Sequence, residues 1–109
     1  MNWIHLVSYF FGAAFLANAV PHFVSGIMGR PFQSPFATPP GEGFSSSTVN
    51  VLWGLFNVVV GYLLVLHVGD FDIKSPIHAG VALLGVLLIS VSMARHFGKF
   101  NGGNSPERQ

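Results

Sequence analysis

The side chains best suited to chemistry in this chain are its five histidines. His5, His67 and His78 fall near one boundary of the long apolar segments, and His22 and His96 fall near the other. Three imidazoles with Asp70 and Asp72 close by in sequence have the donor chemistry of a zinc or copper site. Two imidazoles on facing helices could also ligate a haem axially. No single segment carries a His pair at i, i+3 or i, i+4. A metal site at His5, His67 and His78 therefore requires the fold to bring three helix ends together. The plainer expectation is that these rings sit at the membrane boundary and hydrogen-bond there, with no cofactor; metal or haem is the alternative. His22 with His96 is a weaker pair of the same kind.

The polar residues inside the apolar segments come next. Asn57 stands near the middle of its segment, where an unpaired amide is costly. It should face another helix and find a partner, and Asn18 is its nearest analogue. The simplest role for Asn57 is interhelical adhesion worth roughly 1 kcal/mol. Asn18 and His22 are four residues apart and share a helix face. Between them Pro21 lacks an N–H and crowds the carbonyl of Ala17, so a kink or helix end is expected there. A polar pocket at that point, within reach of Arg30, could hold a small anion or a head group; a kink satisfied by its own neighbours is the simpler reading.

Several activities lack their residues. The chain has no cysteine, which removes disulfides, thiolate metal sites and cysteine nucleophiles. No H-E-x-x-H, phosphate-binding glycine loop or Ser-His-Asp arrangement stands out, and no catalytic residue is assigned. No Asp or Glu lies inside an apolar segment, so a proton-coupled transporter would lack its usual carrier. The net charge of +1 suggests neither nucleic acid nor an acidic partner.

The elements that must position these residues follow from composition. Only 8% of the 109 residues are charged and 50% are hydrophobic, against about 25% charged in a soluble domain. Three stretches, 3–24, 49–68 and 77–95, are free of Asp, Glu, Lys and, up to Ala94, Arg. Each has the ~20-residue length that spans a bilayer at 1.5 Å per residue. The expected fold is an all-α, single-domain integral membrane protein of three transmembrane helices running up, down and up. Ala17-Asn18-Ala19 also resembles a signal-peptide cleavage site, but no basic residue precedes the apolar run.

Between the first two spans, residues 29–48 contain Pro31, Pro35, Pro39 and Pro40 with Phe32, Phe36 and Phe44. Prolines forbid a regular helix there. The Phe rings suit a loop lying on the membrane surface, or one covering a groove between helices. Ser45 to Thr48 supply capping side chains for the second span. The short link 69–76 makes the second and third helices antiparallel neighbours, and the tail 96–109 is polar.

Small residues mark one candidate seam per helix: Ser8-Gly12 and Ala13-Ala17, then Gly54-Asn57-Gly61 with Asn50 and Trp53 on the same side one turn earlier, then His78-Ala82-Gly85-Ile89-Ser92. Arg30, Arg95, Lys99 and Arg108 share one side of such a bundle, with only Lys74 on the other. The positive-inside rule then places the C-terminus in the cytoplasm and the N-terminus outside, in a plasma or inner membrane. The expected function is a structural or accessory membrane subunit, self-associating or bound in a larger complex. The alternatives are a His-based metal- or haem-binding subunit and an oligomeric small-solute transporter or channel with Asn57 on its path.

Overall fold

The computed structural model describes residues 2–103. Three helices dominate: α1 (Trp3–Ile27), α2 (Ser47–Leu66) and α3 (Pro76–Asn101). Each is long and apolar enough to cross a membrane, so the chain has the expected all-α, three-span architecture. A two-stranded antiparallel ribbon, β1 (Phe32–Gln33) and β2 (Phe44–Ser45), lies in the α1–α2 connection.

Local chemistry sets the helix starts. The side chains of Asn2, Ser46 and Ser75 each accept from backbone N–H groups of the first turn, at Ile4 and His5, at Val49, and at His78 respectively. Pro76 occupies the first turn of α3, where its missing N–H costs nothing. Gly102 ends α3 in the left-handed conformation at φ 74°.

Two boundaries differ from the sequence expectation. α1 runs through Pro21 to Ile27 instead of stopping near residue 24. The turns beyond the proline are held by packing on α2. A Cβ on Gly26 would lie 2.5 Å from Val51 Cγ2 and 2.7 Å from the Ser47 carbonyl oxygen, so the two backbones touch. α3 likewise continues past residue 95 to Asn101. The first part of the polar tail is therefore helical, while residues 104–109, including Arg108, lie outside the described residues.

The packing order also differs from the expectation for the short link. α1 is the central helix, and both α2 and α3 pack on it; α2 and α3 barely touch each other. Glycines on α2 and α1 make the first interface. A Cβ on Gly12 would meet Val65 at 2.7 Å, one on Gly61 would meet Leu16 at 2.6 Å, and one on Gly54 would meet the Phe23 backbone nitrogen at 2.9 Å. These pairs step down α1 as they step up α2, which makes the two antiparallel. The second interface turns on Gly85 of α3, where an added Cβ would come 2.2 Å from the Phe10 carbonyl oxygen. Gly85 is the one fully buried residue on α3 among those described. Two antiparallel helices joined by a short link can thus lie on the same third helix without packing together. A close backbone approach at small residues is the strongest attraction available in lipid, and α1 offers it on two sides.

The connection 28–46 is a folded cap rather than a loose surface loop. Gln33 and Ser34 are each 1% exposed. The Ser34 carbonyl accepts from Gly41 N–H at 2.8 Å and from Ala37 N–H at 3.3 Å. Its hydroxyl pairs with that of Ser45 and accepts from Phe36 N–H. Phe32 packs into the bundle between His22 and Phe97, whereas Phe36 and Phe44 stay exposed. The cap therefore covers a groove with one Phe and leaves the other two at its surface.

Candidate functional site

The buried polar side chains form two clusters along the α1–α2 seam. At mid-span, Asn57 is 0% exposed. Its Nδ2 donates to the Trp53 carbonyl at 2.8 Å and its Oδ1 accepts from Asn18 Nδ2 at 3.0 Å. The carbonyl contact identifies the Asn57 nitrogen, so the direction of the Asn18 bond is determined too. The Asn18–Asn57 bond therefore joins α1 to α2.

The second cluster lies at the end of the bundle that carries the cap. Asn50, in the first turn of α2, is also 0% exposed. Its Nδ2 faces three carbonyl oxygens, those of Phe32 (3.2 Å), Ser45 (3.1 Å) and Ser46 (3.0 Å). Three acceptors around one atom can only surround the NH2, so Oδ1 must face His22. His22 Nδ1 lies 2.8 Å from it and carries the donated proton. His22 is 2% exposed and sits among the rings of Phe32, Trp53 and Phe97. Asn50 therefore ties α1, the start of α2 and both strands of the ribbon together. His96 adds a further tie from α3, with Nε2 donating to the Gly41 carbonyl at 2.7 Å.

The sequence placed His22 with Asn18 and the carbonyl freed by Pro21. The structure gives His22 to Asn50 and Asn18 to Asn57 instead, because these side chains face α2. Arg30 is exposed. Asn50 was legible only as part of a seam. The usable signal is that it stands seven residues before Asn57, two helical turns along the same face. Gln33 Oε1 and Trp53 Nε1 are buried without a hydrogen-bond partner among the described residues.

At the opposite end, His67 and His78, two of the three histidines expected as metal ligands, take different partners. His67 turns to the Tyr62 hydroxyl at 3.0 Å. His78 Nδ1 accepts from the Asp72 backbone N–H at 3.0 Å. Among the described residues no group of three or more His, Asp or Glu is placed to hold a metal ion. The Tyr62 hydroxyl and the Asp72 N–H occupy one ring nitrogen each of His67 and His78. His5 and His78 nevertheless share a cavity of about 290 Å³ with Asn2, Leu6, Tyr9, Asp70, Ser75 and Ile77. Tyr9 went unremarked in the sequence, although it follows His5 by one helical turn. It is 1% exposed and packs edge-on against Phe71 at 5.1 Å.

Two larger apolar clefts flank α1. One, of about 680 Å³, is walled by residues of α1 and α3 with Phe32 across its end. The other, of about 410 Å³, lies where α2 and α3 diverge over α1, with Phe10, Phe15, Trp53 and Ile89 on its walls and Asn18 and Asn57 at its polar edge. No family model matches this chain, and no curated protein or solved structure is detectably similar to it, so what it does has to be read from this geometry.

Proposed function

We propose that this chain is a structural or accessory membrane protein that works as a building block, associated with further copies of itself or held in a larger membrane complex. The observation that carries this reading is the use of its polar side chains. Asn18, His22, Asn50 and Asn57 all bond to other parts of the same chain. An amide engaged on both its oxygen and its nitrogen is adhesive, and it has little left with which to line a solute path.

Shape supports the association. α3 packs on α1, with Gly85 its one fully buried residue among those described, and presents Leu83, Leu84, Leu87, Leu88 and Val91 outward. One cleft lies between α1 and α3 and a second where α2 and α3 diverge over α1, each with room for side chains of another helix. Packing into such clefts yields the van der Waals contact that drives helix association in lipid. The distribution of Arg30, Arg95 and Lys99 supports an orientation with the cap and the end of α3 on the cytoplasmic side of a plasma or inner membrane and the N-terminus outside.

Native mass spectrometry from lipid nanodiscs, with in-membrane cross-linking, tests the proposal. Oligomers or a stoichiometric partner are expected, with cross-links concentrated at Leu84, Leu88 and Val91. A protein that stays monomeric and unpartnered across a range of protein-to-lipid ratios would defeat it.

A further inference from the structure

The cavity between the start of α1 and the α2–α3 link is lined differently from the two clefts. Asn2, His5, Tyr9, Asp70, Ser75 and His78 all carry polar atoms, beside only Leu6 and Ile77. Its most telling member is Tyr9. The ring is buried, with 1% of the residue exposed, and Tyr9 lines the cavity with a hydroxyl that makes no hydrogen bond among the described residues. The hydroxyl and the His5 ring both crowd against Gly69, where an added Cβ would lie 2.5 Å from Tyr9 Oη and 2.6 Å from His5 Nδ1. The link thus approaches closely enough to roof the cavity because it has no side chain at that point.

The charges and tautomers define what would fit. Among the described lining residues, Asp70 is the one side chain with a permanent charge, and it is negative. His78 Nδ1 accepts from the Asp72 N–H, so this imidazole carries its proton on Nε2 and is neutral. A ligand here meets acceptors in the Asp70 carboxylate and the Tyr9 oxygen. It meets donors in His78 Nε2–H and the Asn2 amide, whose Oδ1 is already engaged by Ile4 and His5 N–H groups. An anion would face the carboxylate unpaired.

We infer that this cavity binds a primary ammonium group bearing a neighbouring oxygen, as in ethanolamine, with the ammonium on Asp70 and Tyr9 and the oxygen toward His78 and Asn2. Charge-assisted bonds to a carboxylate are the strong ones, which suits Asp70 as the anchor. The same chemistry is presented by a free amino alcohol and by the head group of phosphatidylethanolamine, and the cavity sits at the end of α1 where either could arrive.

The test uses the full chain in phosphatidylglycerol nanodiscs, followed by NMR shifts of the Tyr9 ring and the Gly69 amide. One arm titrates free ethanolamine; the other raises the fraction of phosphatidylethanolamine in the disc. A saturable shift is expected in at least one arm. Saturation by ethanolamine assigns a soluble ligand, and saturation by the lipid alone assigns a head group. Asp70→Asn and Tyr9→Phe should each weaken binding at least tenfold. Tyr9→Phe should leave thermal stability equal or higher, because the hydroxyl makes no hydrogen bond among the described residues. No saturable shift in either arm, an equal response to acetate, or undiminished binding in both variants would overturn the assignment.

Discussion

Replacing Asn50 by Leu tests most directly whether one amide organises the cap. The substitution keeps the side-chain volume near its original value and removes every polar contact. Asn50 uses both Nδ2 hydrogens, shared among three carbonyls at 3.0–3.2 Å, and one lone pair on Oδ1 facing His22. Three hydrogen bonds are therefore lost, two donated by Nδ2 and one donated by His22 Nδ1 to Oδ1. At about 1 kcal/mol net per hydrogen bond the loss is ~3 kcal/mol. Membrane interiors average nearer 0.6 kcal/mol per polar contact, which sets a floor of about 2 kcal/mol. Burial raises the value, since Asn50 is 0% exposed and His22 is 2% exposed, so the stranded groups gain little from water. A loss of ~3 kcal/mol in cap stability corresponds to roughly 100-fold faster hydrogen exchange, at 1.4 kcal/mol per tenfold. The Gly41 amide, bonded to the Ser34 carbonyl inside the cap, is the reporter. Asn50→Asp should be worse than Asn50→Leu, because it keeps the acceptor for His22 but turns a carboxylate oxygen toward three carbonyls. Unchanged exchange at Gly41 in Asn50→Leu, or Asn50→Asp milder than Leu, would refute the hub.

Other perturbations probe the remaining contacts. A double-mutant cycle on Asn18→Ala and Asn57→Ala should return a coupling of about 0.6–1.7 kcal/mol in reversible unfolding from lipid, and a coupling of zero would separate the two amides. Gly85→Ala places a methyl group against the Phe10 carbonyl oxygen, which is backbone and cannot turn aside. Overpacking of this kind costs about 1–3 kcal/mol, and spin labels at exposed Val20 and Val91 should move apart. Gly61→Val should destabilise the α1–α2 seam by a similar amount, since Leu16 and the Gly12 carbonyl oxygen lie within 2.9 Å of the new Cβ; a denaturation midpoint equal to that of the parent protein would contradict the close approach. His96→Ala removes the donor to Gly41 and should cost about 1 kcal/mol in cap docking, read as a several-fold rise in exchange at Gly43.

Much of this architecture is written in the order of residues. Stretches without charge and about as long as a bilayer is thick form helices whatever surrounds them, because lipid offers no other partner for the backbone. The number of spans and the sharing of one end by the cap and the end of α3, seen in the His96–Gly41 bond, follow from that alone. Asn57 had to meet another helix for the same reason, and small residues had to mark the seams. Which helix lies between the other two was settled only by tertiary packing. α1 takes the centre because Gly12 and Gly26 approach α2 while the Phe10 carbonyl receives Gly85 of α3. Partner choice was also tertiary. His22 found Asn50, and His67 found Tyr62 while His78 found the Asp72 N–H, since a hydrogen bond is won by whichever group the fold brings within about 3 Å. Spacing along one helix sets which face a side chain occupies, but the depth and rotation at which two helices meet decide what it touches.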